Sequence, residues 1–173
     1  LGLERKIREK IQALELDMGD VQIINPELSP KIDAYAQKLV ELRHGKGINN
    51  LDEARLHLAD RNAFGAMMVC QGDADGLLSG SRTAYSATIK PALQVIGLRK
   101  DAKRVCGVYV MLFKNKVLFF ADTTVNVNPS AEDLAEIALM AAEQVRFFTD
   151  EKPRVAMLSH ATHGTARNAA SEK

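Results

Sequence analysis

The stretch Val108-Tyr109-Val110-Met111-Leu112-Phe113, Lys114-Asn115-Lys116, Val117-Leu118-Phe119-Phe120-Ala121 decides the fold class. Two runs rich in β-branched and aromatic residues flank a short polar break, the pattern of two consecutive antiparallel strands, with the first reaching back to residue 105. Downstream, Ser130 stands ahead of Glu132 and Asp133 and an apolar series, Leu134, Ile137, Leu139, Ala141 and Val145. A hydroxyl at the N-cap, acids in the first turn and that spacing predict a helix over 131–148.

Upstream the same logic gives mostly helices. Leu3, Ile7, Ile11 and Leu14 recur every three to four residues against a charged face, so 3–16 reads as an amphipathic helix. Residues 21–24 read as a short buried strand ended by Asn25-Pro26. Ser29 at the N-cap and Pro30 at the first helical position open a second helix, with Ile32, Tyr35, Leu39 and Leu42 on one face and Gly45 and Gly47 as the stop. Asn50 caps a third helix running to about residue 60, and 64–70 fits helix or strand. Leu77-Leu78 reads as a central strand, 85–96 as a helix that Pro91 should kink or divide, and 155–158 as the last strand. Helices interleaved with buried strands predict an α/β fold, an open mixed sheet flanked by helices.

Composition narrows the function. Lys+Arg of 23 against Asp+Glu of 22 leaves a net charge of +1, and 46% of residues are apolar. This is a soluble globular composition without the basic field that nucleic acid requires. The longest apolar runs fall well short of the roughly 20 residues of a membrane helix. Nucleic acid and membrane are therefore not expected partners. Cys70 and Cys106 lie in apolar runs without metal-ligand spacing, which fits reduced thiols in a cytoplasmic protein. The opening Leu1-Gly2-Leu3-Glu4 and the closing Ser171-Glu172-Lys173 read as cuts within a longer chain.

Open α/β sheets bind ligands beyond the carboxyl ends of their strands, which directs attention to the loops 79–83, 122–129 and 159–165. Asp73 and Asp75 lack the third acid and later Glu of a calcium loop and read as caps for backbone amides. His160 and His163 have no third ligand nearby, and neither pairs with a serine as a nucleophile would require. What remains is anion binding by small residues, hydroxyls and backbone N–H groups at helix starts, with ordinary capping as the alternative. The candidate contacts are Ser79, Ser81, Asn126, Ser159 and Gly164, with Arg82, Lys90 and Arg104 as nearby positive charge.

Three runs in those regions carry a resemblance: Gly72-Asp73-Ala74-Asp75-Gly76-Leu77-Leu78-Ser79-Gly80, Lys90-Pro91-Ala92-Leu93-Gln94-Val95-Ile96, and Phe120 through Ala135 with Asp122-Thr123-Thr124 and Asn126-Val127-Asn128-Pro129-Ser130. Together with Pro153 to Ser159 and residues 26–47, they resemble phosphate acetyl/butyryltransferases (phosphotransacetylases) over nearly the whole chain. The resemblance implies a two-lobed fold like that of isocitrate and isopropylmalate dehydrogenases. Residues 1–75 would be the end of the first lobe and 76–173 most of the second. It implies a homodimer or larger homo-oligomer that exchanges an acyl group between coenzyme A and phosphate, with acyl-CoA and acyl phosphate as ligands. The family's base aspartate, with its companion serine and arginine, belongs to a segment following residue 173, so the catalytic base is not assigned.

One departure concerns phosphate. The family's arginine ahead of the proline in R-P-x-L-Q falls on Lys90, which keeps the charge but loses the bidentate fork. With Ser159-His160 and Ala121-Asp122-Thr123, that substitution makes the chain look most similar to the phosphotransacetylase-like domain fused behind hybrid NADP-dependent malic enzymes. That likeness implies an allosteric acetyl-CoA sensor without transferase activity, NADP and a divalent metal belonging to the fused malic enzyme. The alternative is an active phosphate acetyltransferase.

Overall fold

The computed structural model describes residues 1–81 and 83–159, so Arg82, His160, His163 and Gly164 lie outside the described residues. The chain divides into two compact units, 1–99 and 100–173.

The first unit is helical. Helix α1 (Glu4–Ala13) presents no buried residue, and its surface is tied by pairs such as Arg8–Glu4 one turn apart. A single 3-10 turn (Pro26–Leu28), capped by the Asn25 side chain, leads into helix α2 (Ile32–Arg43). Ser29 is not the N-cap: Lys31 takes that position and Ser29 lies two residues before it, with its hydroxyl accepting from the Lys31 N–H at 3.3 Å. Tyr35 and Leu39 are buried, and Ile32 and Leu42 pack beside them, as the spacing predicts. Gly45, at φ 72°, takes the chain out of α2 in a conformation that side chains resist.

Asn50 caps helix α3 (Leu51–Leu58), its side chain accepting from the Glu53 N–H at 2.9 Å. Asp60 caps helix α4 (Arg61–Cys70) by accepting from the Asn62 and Ala63 N–H groups. The run 64–70, open between helix and strand by pattern alone, is therefore helical. Its apolar residues point inward because the helix is buried along 62–67. The core joins Leu39 of α2, Leu58 of α3, and Phe64 and Met67 of α4, with Val95 of helix α5 (Tyr85–Val95) against them. The Tyr35 and Phe64 rings lie 5.1 Å apart at 55°.

The second unit holds the hairpin and the last helix. Strand β1 (Val108–Phe113) pairs antiparallel with strand β2 (Lys116–Ala121), and Lys116 stands opposite Phe113. Lys116 therefore belongs to the strand, and the connection is Lys114-Asn115. Residues 105–107 do not extend the ladder, because the 122–126 loop takes their backbone groups. Helix α6 (Ala131–Phe148) begins with a reciprocal cap: Ser130 accepts from the Asp133 N–H, and Asp133 accepts from the Ser130 N–H. Its Ile137 and Ala142 are buried.

The fold is mixed α/β with a small antiparallel sheet, but the open sheet is smaller than expected. Among the described residues the sheet has two strands, and 21–24, 77–78 and 155–158 are in no strand. An extended run becomes a strand only when another lies alongside to take its N–H and C=O groups. Residues 77–78 and 155–158 are exposed, and of 21–24 the first two are exposed and the others half-buried, so the buried strand at 21–24, the central strand at 77–78 and the last strand at 155–158 are all corrected. No helix of the described residues is long and apolar enough to cross a membrane.

The α2–α3–α4 core should dominate stability. Phe64→Ala is expected to cost about 3–5 kcal/mol, and Leu28→Ala, at an 80% exposed position, no more than about 0.5 kcal/mol, read from urea midpoints. Equal losses at the two positions would refute this placement of the core.

Candidate functional site

Helix α5 contains a proline at its seventh position, where an N–H would otherwise bond the Ala87 carbonyl one turn back. The division into two shorter pieces that Pro91 could have caused does not occur; α5 runs as one helix. The reason lies in α4, where the buried Asn62, 7% exposed, donates from Nδ2 to the Ala87 carbonyl at 3.2 Å. A side-chain amide replaces the missing backbone donor.

The other end of that amide reaches the predicted ligand loop. Ser79 Oγ lies 2.5 Å from Asn62 Oδ1, and since a side-chain carbonyl can only accept, the serine hydroxyl donates. The Thr83 and Thr88 hydroxyls, 3.2 Å apart, tie the same loop to α5. Ser79, Gly80 and Ser81 line a cavity of about 320 Å³ together with Asp60, Arg61, Asn62 and Thr83. Lys90 precedes Pro91, is exposed, and has no carboxylate within ion-pair distance among the described residues. Its charge is felt by His57, whose pKa is lowered by burial first and then by Lys90 and Arg43, against the opposing pull of Asp60. Because Leu77-Leu78 is not a strand, this loop does not leave a strand end as the open-sheet rule supposed; α4 and α5 position it.

Asp73, expected to cap amides, instead pairs with Lys31 and accepts from the Tyr35 hydroxyl. Those partners, Lys31 first, hold its carboxyl below the usual range, and the turn after α4 is thereby fastened to α2. Burial and then the Asp73 carboxylate raise the Tyr35 phenol.

The second unit organises its candidates around Asp122. The carboxylate accepts from the N–H groups of Gly107 at 2.7 Å, Thr124 at 3.2 Å, Val125 at 3.3 Å and Asn126 at 2.6 Å, and from Asn126 Nδ2 at 2.6 Å. Burial pushes this carboxyl up, but the backbone bonds from Gly107 and Asn126 and the others outweigh it, leaving a pKa of about 2. Asn126 also donates to the Val105 carbonyl at 3.0 Å. Residue 107 must be glycine for this approach, since a Cβ there would lie 2.3 Å from Thr124 Oγ1. Arg104 pairs with Asp133 and, at 3.1 Å, with Glu136 of α6, so its charge is already met by two carboxylates. Ser159 is exposed.

The structure thus brings Ser79 and Ser81 together and links them through Asn62 to the helix of Lys90, all in the first unit. Arg104, Asn126 and Ser159 belong to the second. Sequence reasoning missed Asn62 and the organising role of Asp122. An interior proline, which needs a substitute donor, and the Asp122-x-x-x-Asn126 spacing after a strand were the available signals.

Residues 1–173 match the phosphate acetyl/butaryl transferase family model. The chain belongs to this family. It is 43% identical over 173 residues to a phosphate acetyltransferase of Nitratidesulfovibrio vulgaris, covering 100% of this chain and 24% of that protein. It is 39% identical to a phosphate acetyltransferase of Bacillus subtilis, covering 100% of this chain and 53% of the relative. A phosphotransacetylase structure from Streptococcus pyogenes superposes with a TM-score of 0.84 at 36% identity, over 97% of this chain and 51% of the other. The chain therefore spans about half the length, or less, of these relatives.

These matches correct the expectation of a hybrid malic enzyme's acetyl-CoA sensor: the relatives over the whole chain are named plain phosphate acetyltransferases. Two of the departures that suggested the hybrid fit this family reading, while His160 lies outside the described residues. Lys90 keeps its positive charge, and Asp122 organises a loop. NADP, oxidoreductase chemistry and allosteric sensing go with the corrected reading.

The Asp122 turn generates a pH prediction. Its folded pKa lies below the unfolded value of about 3.9, so the stability it contributes is present above that value and lost as pH falls toward 2. Asp122→Asn should cost about 1–3 kcal/mol at pH 7. The gap to wild type should close as pH falls from about 5 to 2. Hydrogen-exchange protection of the Gly107 and Asn126 amides measures it, and a gap independent of pH would refute the assignment.

Proposed function

We propose that this chain is part of an active phosphate acetyltransferase that exchanges an acetyl group between coenzyme A and phosphate. The observation that carries the reading is Lys90, with no carboxylate at ion-pair distance among the described residues, on the helix locked to the Ser79–Ser81 loop, within a chain 36–43% identical to named phosphate acetyltransferases. In the exchange, the CoA sulfur forms a bond to the acetyl carbonyl carbon, the bond from that carbon to the phosphate oxygen breaks, and the thiol proton leaves to a base. Phosphate departs with the electron pair. A positive charge and a hydroxyl beside the phosphate stabilise the charge it gains. Lys90 supplies that charge and Ser81 the hydroxyl. Lysine lacks the two-pronged fit of an arginine, so it holds phosphate as a point charge.

The reading extends, as a proposal, to the two-lobed dehydrogenase-like fold with its division near residue 75, a homodimer in the cytoplasm, and acyl-CoA and acyl phosphate as the molecules bound. Arg82, Arg104, Asn126, Ser159 and Gly164 keep their place as proposed ligand contacts.

The full chain should convert acetyl phosphate and CoA to acetyl-CoA and phosphate, followed through the thioester absorbance. Lys90→Gln should lower kcat/KM for acetyl phosphate about tenfold to a hundredfold, or about 1.4–2.7 kcal/mol, while Lys90→Arg should match or exceed wild type. Full activity in Lys90→Gln would remove Lys90 from the site, and no turnover by wild type would overturn the reading.

A further inference from the structure

We infer that Asn62 is a positioning residue whose side-chain amide fixes the Ser79 hydroxyl to the backbone of α5 and turns it into a hydrogen-bond acceptor for coenzyme A. This rests on the acyl-transfer reading above.

Burying an asparagine beside Phe64 and Ala66 costs free energy unless both ends of the amide are matched. Here both are, and the orientation is forced. The Ala87 carbonyl can only accept, so it takes Nδ2; Oδ1 must then receive the Ser79 proton. A serine hydroxyl has one proton. With that proton committed to Asn62, Ser79 presents lone pairs alone to the cavity it lines with Gly80 and Ser81.

That direction discriminates between the two substrates. Ionised acetyl phosphate carries acceptor oxygens and no donor, so a hydroxyl showing only lone pairs repels it. Coenzyme A carries donors, among them its thiol and its amide N–H groups. Ser79 therefore serves the CoA side of the reaction, leaving phosphate to Lys90 and Ser81. The same amide explains why the arrangement is coupled to Pro91: the proline creates the unmatched carbonyl that recruits Asn62, and Asn62 then aims Ser79.

The test is steady-state kinetics of the full chain with Asn62→Ala, Ser79→Ala, the Asn62→Ala/Ser79→Ala double variant, Asn62→Asp/Pro91→Ala and Asn62→Ala/Pro91→Ala. Asn62→Ala and Ser79→Ala should each raise KM for CoA about fivefold to tenfold, with KM for acetyl phosphate within about twofold of wild type. The double variant should be no worse than either single one. Asn62→Asp keeps an oxygen for the serine hydroxyl but no donor for the Ala87 carbonyl, so it is made with Pro91→Ala, which restores a backbone N–H there, and that pair should bring KM for CoA back to within about threefold of wild type. Pro91→Ala restores an N–H to the helix and should recover at least about half of the thermal-midpoint loss of Asn62→Ala. It also supplies a folded background if Asn62→Ala alone does not fold. A rise in KM for acetyl phosphate instead, or multiplied penalties at 62 and 79, in an enzyme whose wild type turns over, overturns the inference and leaves the reading standing. No turnover by wild type overturns both.

Discussion

An interior helix carbonyl without its N–H partner is the constraint around which the first unit's loop and helices are arranged. Proline at 91 removes a donor, and in most helices the consequence is a bend or a break. Here a neighbouring helix supplies the donor from a side chain, so α5 stays whole and Lys90 stays on a continuous helix. The repair requires α4 to lie close against α5, and the α4 face around Asn62 is also packed against the ligand loop. Gly65 has no spare room: a Cβ there would meet Leu77 at 2.7 Å. Packing and polar matching are thus one problem with one solution.

The two units are stabilised differently. The first has a contiguous core at 0–8% exposure contributed by four helices and by Ile48 between them, and its loops are fastened to that core through Asn62 and through Asp73 with Lys31 and Tyr35. The second has few fully buried side chains among its described residues, and Asp122 organises its own loop by collecting five N–H bonds, one of them from Gly107 across the loop. A carboxylate satisfied in that way rigidifies a loop without needing apolar volume around it.

The helices were legible where cap chemistry and apolar period agreed. Asn50 and Ser130 mark true helix starts because their side chains find the amide three residues on, and the α6 pattern survives into burial at Ile137 and Ala142. The hairpin was legible because both of its strands are local. The runs 21–24, 77–78 and 155–158 were misread because strand formation depends on a neighbour, and no local pattern reports whether one is there. The site divides along the same line. Ser79, Ser81 and Lys90 stand out by residue type, whereas Asn62 matters only through two contacts, 17 and 25 residues distant in sequence.

Charge compensation separates the candidate cations more sharply than residue type does. An arginine is ordinarily the better phosphate ligand, and by that rule Arg104 outranks Lys90. Yet Arg104 faces Asp133 and Glu136, and an arriving phosphate would have to displace a carboxylate or bind beside two of them, at a Coulombic cost that falls slowly with distance in a partly buried setting. Lys90 meets no carboxylate within ion-pair distance among the described residues. It is exposed to solvent and carried on a helix that Asn62 ties to α4. The loss of the bidentate fork at position 90 is therefore offset by the lack, among the described residues, of a carboxylate in direct contact with the ammonium, so a phosphate group need displace none to reach it.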